Sequence, residues 1–397
     1  MRVLLTTESY LPYLSGVTVS VDALARGLGA LGHDVLVLAP RPVPGSAPEP
    51  VGTPGPEPGY AWLPSYQAPI VAPPGYRMAV PVPGSGGLRR ARAFRPDVVH
   101  AHSPFVTGRV ARRLAAELSA PLVFTHHTRF ADYGHYLGPF AGLGSRLADA
   151  YIRRFWRACA AIVAPSEDLA RDIRARLPVA SAHRVHVIPT GVDVAGIRAL
   201  APIDPRVEAG WPGDALVVAS LGRLAPEKSP ELLLAAVAAA AAQMPMLRLL
   251  VIGAGPSQAT LRTRAELPDL AGRVHLVGAL PRPEALTRLA GSDLFLFTSR
   301  TETQGLVLAE ALSARLPVVA VDGPGVDESV RDGVDGIVVD AMPPDSLPRR
   351  LADGLIALAD PVRRGAMAEH AAADADRFAV ERRVAQAEDL YDTLRRA

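Results

Sequence analysis

Ala215-Leu216-Val217-Val218-Ala219-Ser220-Leu221-Gly222-Arg223-Leu224-Ala225-Pro226-Glu227-Lys228 reads as a strand, a glycine turn and a loop with two cations, ahead of a helix opening near Pro230. A loop leaving the carboxyl end of a parallel strand is where open α/β sheets take their ligands. Gly222 permits close backbone approach, and Arg223 and Lys228 can neutralise a diphosphate and stabilise it as a leaving group. Lys228 carries extra weight, because of 42 basic residues it is the one Lys among 41 Arg. A position that stays Lys in that background points to a need for a compact ammonium in place of a planar fork. Two solvated surface cations are the plainer alternative.

The same strand-and-helix rhythm extends in both directions from this stretch. Downstream, short apolar runs fall at Leu247–Ile252, Val274–Leu276, Leu294–Phe297 and Val318–Val321. Upstream they fall at Val3–Thr6, Val35–Ala39, Val98–Ala101, Leu122–Thr125, Ala161–Ala164 and Val185–Ile188, with helical periods at Val19–Leu31, Thr107–Leu118 and Leu143–Ala158. Alternation of this kind predicts βαβ units and parallel sheets. At 397 residues the chain exceeds the size of a single core, so two α/β domains are expected, 1–190 and 213–373. The amphipathic stretch Asp374–Arg396 is expected to form a helix packing back across both. Residues 40–90, dense in Pro and Gly but carrying Tyr60, Trp62, Tyr66 and Tyr76, read as a functional loop.

Composition narrows the class. Hydrophobic residues make up 49% and charged residues 21%, which excludes wholesale disorder. No run approaches the roughly 18 apolar residues of a membrane span, and the opening Met1–Glu8 reads as a first strand without a signal peptide's cleavage region. The lone Cys159 forms no intrachain disulfide, which fits a reducing cytoplasm. Residues 1–190 hold 20 Arg against 12 Asp and Glu, +8, leaving −6 beyond. That asymmetry suits attraction to lipid headgroups or nucleic acid. Arg146, Arg153, Arg154 and Arg157, interleaved with Tyr151, Ile152, Phe155 and Trp156, suggest an interfacial anchor helix, although a helix packed on the sheet has the same pattern.

A second constellation, Ser299-Arg300-Thr301-Glu302-Thr303-Gln304-Gly305-Leu306-Val307-Leu308-Ala309-Glu310, again follows a strand and runs into a helix. Gly305 lets the amides of Gln304, Gly305 and Leu306 face an acceptor-rich group, where the helix dipole favours negative charge. Glu310, inside the helix, can take a ribose diol by two hydrogen bonds, while capping and surface charge are the bland alternatives for both acids.

The Glu302/Glu310 pair with its Gly-Leu step resembles the E-x7-E element of the family 4 retaining glycosyltransferases, and Gly222-Arg223-x4-Lys228 resembles their diphosphate loop. Ser15-Gly16-Val17 is similar to their N-terminal glycine loop, with one Gly fewer, and Gln304 stands where the family often has Phe. Arg95–His102 and Pro189–Asp193 are also typical segments. Thr125-His126-His127-Thr128, with Arg129, Asp132, Tyr133, His135 and Tyr136 following, resembles the active-site segment of glucosyl-diacylglycerol synthases, with His127 at the family's histidine; phosphatidylinositol mannosyltransferases are the next likeness.

The resemblance implies a GT-B architecture, two doubly wound parallel-sheet domains facing a central cleft. It implies catalytic roles for His127, Glu302, Arg223 and Lys228, donor contacts from Gly16, Gly222, Gln304, Gly305, Leu306 and Glu310, and an acceptor region at Arg129–Tyr136. The expected partners are a UDP- or GDP-hexose, a lipid acceptor and an anionic membrane surface at the inner face of the cell membrane, with no nucleic acid. With two cations for the diphosphate, no metal or other cofactor is expected; the Asp-x-Asp spacing of Asp374-Ala375-Asp376 falls in the expected terminal helix, far from the donor motifs. A catalytically silent nucleotide-sugar sensor is the rival of another class.

Overall fold

The computed structural model describes residues 1–43, 55–67, 75–129 and 141–396. The chain divides into two compact units, Met1–Gly191 with Val380–Ala397, and Val192–Ala379.

The first unit holds β1 (Arg2–Thr6), β2 (Asp34–Pro40), β3 (Gly59–Leu63), β4 (Ser65–Gln67), β5 (Arg77–Ala79), β6 (Val98–Ala101), β7 (Leu122–Thr125), β8 (Ala161–Ala164) and β9 (Val185–Val187). Seven of these make one sheet in the order β3-β2-β1-β6-β7-β8-β9, every pair parallel. Side chains alternate between its faces with the two-residue strand period. Leu4 packs against Val110, Leu114 and Phe155 on one face. Val3 and Leu5 pack with Val21, Leu28, Val384 and Tyr391 on the other.

That second face is covered by the helix Gly16–Ala30 and the C-terminal helix Val380–Arg396. Ser15 caps the former, its hydroxyl accepting from the Thr18 amide at 3.1 Å. The two helices approach closely at Gly27, where a methyl would stand 2.4 Å from Val384 Cγ2. His33 Nε2 meets Glu388 Oε1 at 2.7 Å, and His100 Nδ1 meets the Tyr391 hydroxyl at 2.6 Å.

The second unit holds β10 (Leu216–Leu221), β11 (Leu247–Ile252), β12 (Val274–Gly278), β13 (Leu294–Phe297), β14 (Val318–Val321) and β15 (Gly336–Val339), in the all-parallel order β12-β11-β10-β13-β14-β15. Along β13, Leu294 and Leu296 enter one apolar layer and Phe295 and Phe297 the other. In both sheets the chain order reverses beside the first strand, β1 or β10. The connections diverge to opposite faces there and leave a crevice at the carboxyl ends.

Three expectations are corrected. Residues 40–90 contain β3, whose Ala61 and Leu63 are buried, and the hairpin β4–β5; residues 44–54 and 68–74 lie outside the described residues. The terminal stretch is not one helix from Asp374: the helix Pro361–Asp374 ends there, a short 3-10 turn follows to Phe378, and the last helix starts at Val380. In the helix Ala141–Arg157 the large apolar residues turn inward: Ile152, Phe155 and Trp156 are 4, 3 and 2% exposed within the core, and half-buried Tyr151 donates its hydroxyl to Pro104 O at 2.7 Å.

Gly27→Val gains about 0.4 kcal/mol of helix propensity but overpacks the Val384 contact, which costs about 1–3 kcal/mol. The contact should win, and denaturant titration should show a net loss of stability; an unchanged or raised midpoint would mean that the two helices do not need this close approach.

Candidate active site

In the second unit the candidate residues gather at the switch point. The loop after β10 is braced by the loop after β11. Leu224 donates its amide to Ala254 O at 3.1 Å, and Ser257 donates to Leu224 O at 3.0 Å. Two glycines make this possible: a Cβ on Gly253 would lie 1.9 Å from Gly222 O, and one on Gly255 2.2 Å from Leu224 O. Gly222 itself has nothing within 4 Å of where a Cβ would stand.

The turn at Pro226–Lys228 is tied to the loop after β13. Thr298 Oγ1 donates to the carbonyls of Lys228 and Ser229 at 3.3 and 3.1 Å, and Thr301 Oγ1 donates to Glu227 O at 2.9 Å. These bonds bring the Lys228 ammonium 2.5 Å from Glu302 Oε1, both side chains partly exposed. Arg223 is half exposed beside Glu227, at 3.7 Å.

Beyond Glu302, Gly305 takes the left-handed conformation, φ 70°, and caps the helix Leu306–Ser313. Gln304 O accepts from Ser329 Oγ at 3.2 Å, holding the turn in place. Leu308 donates its amide back to Gly305 O at 2.8 Å, and the amides ahead of it in the first turn, which have no intrahelical acceptor, suit an anion. Inside the helix, the Glu310 side chain is 4% exposed and paired with Arg282, itself 12% exposed. Burial raises the Glu310 carboxyl above the usual range, and Arg282 opposes that.

The first unit places Gly16 at the start of its helix, with open space where a Cβ would be. At the ends of β6 and β7 stand four imidazoles. His100 and His102 share a face by the strand period, ring centroids 4.2 Å apart, and His102 Nδ1 meets His127 Nε2 at 2.8 Å. His100 Nε2 meets Thr125 Oγ1 at 2.7 Å. His126 lies edge-on to Phe124 and Trp156. Burial holds His100 and His126 down to about 3 and His127 to about 4, and lowers His102 well below the ordinary value.

Residues 14–195 match the family model described as Glycosyltransferase Family 4, and residues 204–372 the model described as Glycosyl transferases group 1. Among curated proteins, the chain is 32% identical over 342 residues to a GDP-mannose-dependent alpha-mannosyltransferase of Mycolicibacterium smegmatis, covering 86% of this chain and 84% of that one. The chain belongs to glycosyltransferase family 4. An alpha-monoglucosyldiacylglycerol synthase of Acholeplasma laidlawii is 29% identical over 347 residues, covering 85% and 84% of the two chains. The fold matches that of Anabaena HepE, solved with UDP and glucose, at TM-score 0.73 and 20% identity over 99% of this chain and all of that one. The chain is thus a glycosyltransferase of GT-B fold.

For this family 4 chain, the structure brings Gly222, Arg223, Lys228, Glu302, Gln304, Gly305, Leu306 and Glu310 to one edge of the second unit's sheet. His127 and Gly16 lie at the matching edge of the first unit's sheet. Arg129 pairs with Asp168. Asp132, Tyr133, His135 and Tyr136, with the side chain of Arg146, lie outside the described residues. Asp374 binds Arg331 and Arg377 while Asp376 binds Arg198, so these two acids are engaged by different cations.

Sequence reasoning passed over two residues, Arg282 and Glu8. Arg282 begins the helix Arg282–Ala290 after β12, and its signal was a cation just past a strand end. Glu8, after β1, accepts from the Thr107 amide at 2.7 Å and caps the helix Val106–Leu118. The Gly253-Ala254-Gly255-Pro256 turn, in sequence a weak phosphate signal or a plain strand-to-helix connection, sets the loop bearing Arg223.

The buried imidazoles make stability depend on pH. Each binds its proton more weakly when folded, so stability is complete above the unfolded value of 6.5 and is lost as pH falls toward 4 and 3. Each ring neutral in the fold adds about 1.4 kcal/mol per pH unit to that loss. Glu8 and Glu310, both raised, work in the opposite direction. The clean measure is therefore a difference: unfolding of His126→Phe at pH 5 should take up about one proton fewer than unfolding of the parent. Equal pH slopes for the two proteins would show that His126 is not held neutral.

Proposed function

We propose that the enzyme transfers a hexose, glucose as the best single reading, from a nucleotide-sugar to 1,2-diacylglycerol with retention of configuration. The observation that carries the donor chemistry is the Lys228 ammonium resting 2.5 Å from Glu302 at the ends of neighbouring strands. An arriving diphosphate offers that ammonium a more highly charged partner. Lys228 and Arg223 then stabilise charge developing on the leaving group, and Glu302 is released to hold the sugar ring. The amides at Gln304–Leu306 and Gly16 receive phosphate oxygens, Glu310 the ribose, and neutral His127 hydrogen-bonds the sugar or phosphate.

The leaving phosphate takes the acceptor proton on the same face, and no metal is needed where two cations meet the diphosphate. A lipid acceptor is supported by the diacylglycerol synthase among the relatives and by the His127-Thr128 segment. The 32% identity to a GDP-mannose-dependent enzyme favours mannosyl transfer as the second reading. We place the reaction at the cytoplasmic face of the cell membrane, reached by charge attraction of the basic first half; among the described residues no helix is long and apolar enough to cross a membrane.

Incubation with UDP-glucose, GDP-mannose and further nucleotide-sugars, each with vesicles of diacylglycerol or phosphatidylinositol, should give one glycolipid; glucosyl-diacylglycerol is expected, and transfer only to soluble sugars would refute the lipid reading. Lys228→Ala should cut kcat about 10²- to 10³-fold with the melting temperature little changed. Lys228→Arg should fall nearly as far, because the planar head cannot replace the ammonium. Sedimentation should show tighter binding to anionic than to neutral vesicles, fading with salt; equal, salt-insensitive binding would remove the electrostatic docking.

A further inference from the structure

Glu310 is an awkward residue to bury. Its side chain is 4% exposed, and a carboxyl so far from water favours its neutral form. A neutral carboxyl has one proton to give and one good acceptor left, whereas a diol is best held by a carboxylate accepting from both hydroxyls. The chain supplies a remedy from a neighbouring element: the guanidinium of Arg282 engages Oε1 of Glu310 and is itself 12% exposed. No other residue of the helix Leu306–Ser313 can do the same, since they are Leu, Val, Ala and Ser.

We propose that Arg282 is a positioning residue for the donor nucleoside, keeping Glu310 ionised and turned so that its second oxygen meets the ribose hydroxyls. This rests on the assignment of Glu310 to ribose. The contact goes to Oε1 alone, which leaves Oε2 for the ribose, and the delocalised guanidinium keeps its charge at every working pH, as a buried ammonium need not. Because the helix Arg282–Ala290 follows β12, the edge strand next to β11, the device couples an edge loop to the switch-point helix. A purely structural ion pair would leave nucleotide discrimination untouched, and that difference makes the role testable.

The test measures dissociation constants by calorimetry for UDP, GDP and their 2′-deoxy forms, using the full chain. The parent should bind the better ribonucleotide about tenfold more tightly than its deoxy form, the worth of one hydrogen bond to a charged group. In Arg282→Gln that ratio should fall to near one, with kcat for transfer changed less than KM. Arg282→Lys, which keeps the charge and is the safer variant for folding, should give an intermediate ratio. A parental ratio in both variants overturns the positioning role alone. A parent that makes no distinction between ribose and deoxyribose overturns the Glu310 assignment, and this inference with it.

Discussion

A parallel sheet delivers every strand's outgoing loop to one edge, and reversal of strand order beside β10 leaves two of those loops facing each other across a crevice. The contact between Lys228 and Glu302 is a consequence of that constraint. One residue comes from the loop after β10 and the other from the loop after β13, separated by 73 intervening positions but joined through adjacent strands. Threonine hydroxyls on Thr298 and Thr301 tie the two loops through backbone carbonyls. The backbone that carries the cation is therefore held by both loops, and only the Lys228 side chain has to change partners when a diphosphate arrives.

Both units bury opposite charges as pairs, Arg26 with Asp22 in the first, but their candidate site residues are held differently. In the second, opposite charges pair: Lys228 with Glu302, Arg282 with Glu310, and Arg331 and Arg377 with the fully buried Asp335. In the first, the strand ends carry neutral rings that hydrogen-bond to one another and to hydroxyls. A neutral wall has little pull on a diphosphate and can accept or donate to hydroxyls of a sugar or an acceptor.

Much of the fold was legible because fully buried strands declare themselves as apolar runs. Leu247–Ile252, Leu294–Phe297 and Val318–Val321 were each read with the bounds the structure gives. β3 was hidden because Pro and Gly on both sides dominate its composition, although Tyr60 and Trp62 were in plain sight. β15 is four residues after a turn, too short to show a period. The helix Ala141–Arg157 was ambiguous for a physical reason: the pattern that seats Phe155 and Trp156 in a core is the pattern that would seat them in lipid, and only the partner surface decides. Arg282 was illegible because its meaning depends on Glu310, 28 positions later and on another helix.

The return of Val380–Arg396 to the first unit has a consequence for how the protein is made. Synthesis runs from the N-terminus, so residues 1–191 leave the ribosome while the helix that covers Val21, Leu28 and His100 has not been translated. At about 5–20 residues per second that interval lasts roughly 10–40 s. The second unit, continuous in sequence, can complete its core as soon as it emerges. The first waits with an apolar face uncovered, a stretch of time in which a chaperone or a neighbouring nascent chain competes for the surface that Tyr391 will finally occupy.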